Sequence, residues 1–236
     1  MLYKKNRLRD LKQSLFKNPT CEYRATPFWA WNCKLEKAEL ERQIDVFKKM
    51  GFGGFHMHSR NGLETPYMGE EFMTLVRACV DKAEKEKMLA WLYDEDRWPS
   101  GSAGYQVTKP MPKYKFRVIE ITPKELSSQP KEVAIAKGER YWLATYKIKR
   151  DKEGKLISYR RLQPTEAFSQ SGDETVYYLY SSCGPNTDRY VDTLSKDAIH
   201  CFVQLTHEYY KKTCGDQFGC VVPAIFTDEP QFHMKG

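Results

Sequence analysis

Carboxylates cluster twice in this 236-residue chain, each time where an apolar run stops. Met88 to Tyr93 runs into Asp94-Glu95-Asp96-Arg97-Trp98-Pro99-Ser100-Gly101, and Val221 to Phe226 runs into Thr227-Asp228-Glu229-Pro230. In α/β folds the loops beyond the carboxyl ends of parallel strands carry the chemistry. Two acids facing one hollow could cleave a glycosidic bond: a carboxylic acid protonates the leaving oxygen while a carboxylate activates water or attacks the sugar. Alternate side chains of a strand share a face. If Trp91, Tyr93 and Glu95 line the mouth from one strand, and Ile225, Thr227 and Glu229 from the other, Glu95 and Glu229 point at the same cavity. Burial of Glu229 beside Pro230 is expected to raise its pKa, as a general acid requires, the alternative being a strand-end salt bridge or cap. Three adjacent acids cannot all face one substrate. For Asp94, Glu95 and Asp96, binding of sugar hydroxyls is therefore weighed against a solvated loop paired with Arg97.

His56-Met57-His58-Ser59-Arg60 puts two imidazoles on one strand face. Such a pair can ligate zinc with an acid completing the site, can bind hydroxyls, or can be one hydrogen-bonded core histidine and one packed at the mouth. Phe28-Trp29-Ala30-Trp31-Asn32 supplies indoles on which sugars could stack, although at least one of the two must be packing, and Asn32 could donate to a hydroxyl. Trp98, in a loop after charged residues, could stack on a ligand or pack in the loop. Asp192, Thr193 or Ser195 reads first as a helix N-cap. No glycine-rich phosphate loop, serine nucleophile elbow or dinucleotide fingerprint is present.

Strand-length apolar runs at Thr26 to Trp31, Phe52 to His58, Met88 to Tyr93 and Cys220 to Thr227 must position these groups. Helical periodicity lies between them: Leu40, Ile44 and Phe47 after a start near Asn32; Phe72, Leu75, Val76, Cys79, Val80 and Ala83; then Ile199, Phe202, Val203, Tyr209 and Tyr210. Gly51 and Gly215 mark the ends of the first and third. Strand–helix alternation predicts an α/β fold with a parallel sheet. Residues 105–190 break the rhythm, with strand-like stretches at Tyr114 to Thr122, Glu132 to Ala136, Tyr141 to Arg150, Lys155 to Leu162 and Thr175 to Ser182, and a turn at Asp151 to Gly154. The expected division is 1–104 with three strands, an antiparallel β insertion over 105–190, and 191–236 with a helix and a fourth strand. A closed barrel needs eight strands, and half of one exposes two sheet edges. The chain is thus expected to be a partial (β/α)8 barrel, its first four units, that either lacks a C-terminal half or self-associates.

With 41% hydrophobic and 14% aromatic residues the chain can bury a sizeable core. The net charge of +7 is spread rather than blocked, and no basic helix, finger or ribonucleoprotein motif accompanies it, which argues against nucleic acid as a partner. The seven cysteines include no Cys-x-x-Cys pair, so reduced thiols are expected rather than a zinc ribbon or disulfide framework. No run of about 18 apolar residues could span a membrane, and Met1 to Lys17 lacks the apolar core of a signal peptide; as written, the chain reads as cytoplasmic.

Pro27-Phe28-Trp29-Ala30-Trp31-Asn32, Gly53-Gly54-Phe55-His56-Met57-His58-Ser59-Arg60, Gly62-Leu63-Glu64-Thr65-Pro66-Tyr67, Trp91 to Gly101 and Phe226-Thr227-Asp228-Glu229-Pro230, taken in order, resemble the family 106 glycoside hydrolases, the α-L-rhamnosidase-like group. The resemblance covers Thr26 to Gly104 and Tyr190 to Pro230. It implies a TIM-barrel catalytic domain, an inverting mechanism and a calcium ion near the bound sugar. By position Glu229 matches the fourth-strand acid that protonates the glycosidic oxygen, while the base is expected on a later strand.

The expected function is glycoside hydrolysis on a carbohydrate substrate, with Glu229 catalytic and Asn32, His56, His58, Arg60, Asp94, Glu95, Trp98 and Asp228 binding sugar. The alternatives are a metal-dependent barrel hydrolase using His56 and His58, and a non-catalytic carbohydrate-binding fragment.

Overall fold

The structure is a computed structural model that describes residues 12–123, 141–163, 166, 173–183 and 190–231. These fall into two compact units, one within Met1–Val107 and Thr193–Phe232, the other within Thr108–Asp192.

The first unit is built on a parallel sheet of β1 (Phe28–Trp31), β2 (Gly54–Ser59), β3 (Leu89–Tyr93) and, further along the chain, β8 (Ile225–Phe226), in the order β1-β2-β3-β8. Helix α1 (Gln13–Lys17) precedes it, and α2 (Lys37–Lys49) and α3 (Glu70–Glu86) cross between strands. The described residues are thus a mixed α/β fold with one parallel and one antiparallel sheet.

Apolar spacing explains the helices. In α2, Leu40 and Ile44 are buried, and in α3 the buried set Phe72, Met73, Leu75, Val76, Cys79, Val80 and Ala83 recurs at three- and four-residue intervals. Helix α2 begins at Lys37, later than the signal near Asn32 suggests, because residues 32–36 are taken up by a loop in which the Leu35 N–H donates to Thr65 Oγ1 at 3.0 Å. It ends at Lys49, and Gly51 then takes φ 87°, which favours glycine.

One face of the sheet meets these helices through Trp29, Trp31, Phe55, Met57, Ala90 and Leu92, all in the core. Both indoles of β1 therefore pack. Their rings form an edge-to-face lattice, Trp29 with Trp31, Phe47 and Phe55 at 5.2–5.5 Å and Trp31 with Phe72 at 5.4 Å. Each such pair contributes about 0.5–1.5 kcal/mol beyond its buried area. The Trp29 Nε1–H donates to Gln43 Oε1 at 2.6 Å, so its polar edge is satisfied by α2. Close backbone approach fixes the glycines at the head of β2: a Cβ on Gly53 would lie 1.9 Å from Cys21 O, and one on Gly54 2.3 Å from Leu89 O.

The third helical stripe is two helices, α4 (Lys196–Leu205) and α5 (His207–Cys214), broken at Thr206, whose φ −113° and ψ −73° depart from helical values. Ser195 caps α4, its Oγ accepting the Ala198 N–H at 3.4 Å. Among the described residues no disulfide joins the seven cysteines, of which Cys33 and Cys220 are exposed and Cys79 on α3 and Cys214 on α5 buried. Among the described residues no helix is long and apolar enough to cross a membrane.

The second unit is an antiparallel sheet of β4 (Val118–Pro123), β5 (Tyr141–Arg150), β6 (Leu156–Leu162) and β7 (Glu174–Ser182), ordered β4-β7-β5-β6. Asp151 shapes the β5–β6 hairpin, its Oδ1 accepting the Glu153 and Lys155 N–H groups at 2.9 and 2.8 Å. The strand expected at Glu132 to Ala136 lies outside the described residues.

Candidate active site

The sheet face turned away from the helices carries Phe28, His56, His58, Trp91, Tyr93 and Phe226 as an unbroken layer of rings. His56 stacks on Trp91 with centroids 5.0 Å apart, His58 on Tyr93 at 3.7 Å, and Tyr93 on Phe226 at 4.9 Å. Phe28 reaches His56, His58, Tyr93 and Phe226 at 5.3–5.9 Å yet remains 62% exposed. Parallel register makes this layer: Phe28 pairs with His56, His56 with Trp91, and Tyr93 with Phe226.

That register corrects the expected parity at the fourth strand. Leu92 pairs with Ile225, and Ile225 packs against the core, so it is Phe226 and Asp228, not Ile225 and Glu229, that follow the face of Tyr93. The physical reason is the demand of Ile225 for the helix side. The Tyr93 hydroxyl donates to Asp228 Oδ2 at 2.8 Å, and burial, then this bond, pushes the phenol pKa well above its ordinary value. Glu229 lies past the last paired residue, with φ 41°, and is exposed, so the desolvation expected there is not found.

The ring layer ends in a buried hydrogen-bonded pair. His58 Nε2 lies 2.7 Å from Glu95 Oε1; Glu95 is fully buried, and its Oε2 makes no hydrogen bond among the described residues. His56 is also buried and its pKa is lowered, mainly by desolvation and then by the nearby His58, which favours a neutral ring.

Asp94 ties β3 to β8 from beneath. It is fully buried, with Oδ1 accepting the Ser100 hydroxyl and Oδ2 the Thr227 hydroxyl, each at 2.6 Å. Ser100 in turn accepts the Asp228 N–H at 2.8 Å, and its own N–H donates to Asp228 O at 3.0 Å. Burial raises the Asp94 pKa against the opposing pull of Ser100, Thr227 and His207. Asp96 is committed too, Oδ1 to the Gly104 N–H and Oδ2 to Arg97, each at 2.9 Å.

The structure thus brings His56, His58, Asp94, Glu95 and Asp228 together at the carboxyl ends of β2, β3 and β8. Asn32 and Arg60 follow β1 and β2 as exposed residues, and Trp98 is 54% exposed. Sequence reasoning missed Phe28, Tyr93 and Phe226 as a ring layer, whose signal was the shared two-residue period with His56 and His58. It also missed Ser100 and His207, and the bond from Thr227 to Asp94, for which one-dimensional spacing offers none. A separate cleft of about 590 Å³ among the helices, lined in part by Arg77, Asp81, Tyr209 and Lys212, contains none of these residues.

Metal ligation can be tested against this donor set. Calcium takes 6–8 oxygen ligands. The carboxylate oxygens of Asp94 and Asp96 already serve internal donors, and His58 Nε2 is engaged by Glu95. Among the described residues no group of three or more His, Cys, Asp or Glu could hold a metal ion.

No protein-family model matches the chain, and no curated protein matches it. Among solved structures, the rhamnosidase from Novosphingobium sp. PP1Y is similar over 61% of this chain and 17% of that one, with 15% identity and a TM-score of 0.42.

Proposed function

We propose that the first unit is a carbohydrate site of glycoside hydrolase type, α-L-rhamnosidase-like, in which Glu229 beyond β8 acts as the acid that helps cleave a glycosidic bond. The observation that carries this reading is the meeting of the ring layer with Asp228, held by the Tyr93 hydroxyl one residue before the exposed Glu229. Rings offer flat apolar area to the C–H faces of a sugar, and Phe28 and Trp98 are exposed enough to touch one. Glu229, exposed and free of the packing that seals Glu95, takes the role of acid toward the leaving oxygen. Asp228, oriented by Tyr93, binds sugar hydroxyls with Asn32 and Arg60. His58 and Glu95 brace the floor rather than touch substrate, since both are buried. An inverting course, and the place of these strands as the first four of an eight-stranded barrel, belong to the same proposal. No step is routed through a metal.

The test is hydrolysis of a panel of aryl glycosides by the chain and by Glu229→Gln, with sugar binding followed by Trp98 fluorescence. The variant is expected to lose turnover while binding is kept. Unchanged turnover removes Glu229 from the mechanism. Binding without turnover in the unaltered chain favours a carbohydrate-binding role, and absence of both overturns the reading.

A further inference from the structure

The break between α4 and α5 places two polar side chains against the site from behind. Thr206 is fully buried, and its Oγ1 lies 2.7 Å from Phe202 O and 2.8 Å from His207 Nδ1. A hydroxyl has one proton, and a carbonyl can only accept. Both short contacts are satisfied together only if Thr206 donates to Phe202 O and receives a proton from His207 Nδ1–H. In the neutral ring Nε2 is then bare. That nitrogen lies 3.4 Å from Asp94 Oδ2, inside a carboxylate that is fully buried. A lone pair facing a carboxylate is unfavourable, so a proton must stand between them.

We propose that His207 is a positioning residue for the site: with Nδ1 pinned by Thr206, its Nε2 shares a proton with Asp94 and thereby sets where Asp228 stands. From Asp94 onward the path is short and hydrogen-bonded. Asp94 orients the Ser100 and Thr227 hydroxyls, and Ser100 holds Asp228 by both its Oγ and its N–H. The groups facing the pair from neighbouring elements are Tyr210 of α5, whose hydroxyl donates to Tyr93 O at 2.9 Å, and the buried Tyr67 hydroxyl, which lies in the field of Asp94, Glu95 and Asp96. Phe202 of α4 meets the imidazole edge to face with ring centroids 5.7 Å apart, and the His207 side chain stays 31% exposed. The consequence for sugar chemistry rests on the proposed function; the shared proton does not.

The two are tested apart by ring-nitrogen NMR of the full chain at neutral pH, which needs no substrate. Wild-type His207 is expected to show Nδ1 protonated and Nε2 at least partly so. In Asp94→Asn, Nε2 is expected to move to the range of a bare nitrogen while Nδ1 keeps its proton. In His207→Gln the amide signals of Ser100 and Asp228 are expected to shift, while those of β5 and β7 stay in place. A wild-type ring protonated on Nε2 with Nδ1 bare overturns the proposal, as does an Nε2 signal indifferent to Asp94→Asn, or Ser100 and Asp228 amides unmoved in His207→Gln. Should Asp94→Asn fail to fold, the wild-type ring and His207→Gln decide. Failure of glycoside turnover leaves all these signals unaffected.

Discussion

Replacing His58 by Phe isolates the partnership with Glu95. The ring remains to stack on Tyr93 and to meet Phe28, contacts worth about 0.5–1.5 kcal/mol each. What disappears is Nε2, 2.7 Å from Glu95 Oε1. Because Oε2 lacks a hydrogen bond among the described residues and Glu95 is fully buried, the variant leaves a carboxyl group with neither oxygen satisfied by them. Removing one partner of a buried pair costs about 3–5 kcal/mol. Replacing both, as His58→Phe with Glu95→Leu, removes the stranded carboxyl group, so the double variant should recover at least about 2 kcal/mol relative to the sum of the single changes. Urea denaturation followed by tryptophan fluorescence measures the stabilities, and amide exchange in β2 and β3 locates the loss. A His58→Phe cost below about 1 kcal/mol, or additive single changes, refutes the view that these two groups depend on each other.

Gly54→Ala should destabilise the first unit by about 3 kcal/mol or more, since the new Cβ would lie 2.3 Å from a backbone carbonyl that cannot swing aside; a urea midpoint equal to wild type contradicts this. The raised pKa of Asp94 has a signed consequence: the folded state holds that proton more tightly than the unfolded chain, so its contribution to stability is full below the unfolded value near 3.8 and is lost as pH rises through the raised folded value. Denaturation midpoints of the wild type, relative to Asp94→Asn, should fall across that window as pH increases, and a pH-independent difference rules it out.

Much of the frame was legible because burial on one side leaves periodic marks. The seven buried positions of α3 and the alternation of Trp29 and Trp31 with Phe28 and Ala30 are such marks. Register between distant strands leaves none: whether Tyr93 faces Phe226 or Ile225 depends on which of the latter seeks the core, and only packing against Leu92 decides. The same limit explains the site. His56, His58 and the acids after Tyr93 announce themselves by type and place, whereas the roles of Ser100, Thr227 and His207 arise from hydrogen bonds spanning up to 133 positions, between Asp94 and Thr227. The α4–α5 break was hidden because Ile199, Phe202, Tyr209 and Tyr210 keep a helical period on both sides of Thr206.

The distribution of thiols gives the first unit a chemical clock. Cys33 and Cys220 stand open to an alkylating reagent, while Cys79 and Cys214 are sealed under α3 and α5, with the Cys214 thiol pushed up to about 11 by burial. The reactive thiolate is scarce there even before access is considered. Modification of the inner pair therefore waits for the helices to lift from the strands, and its rate counts how often they do.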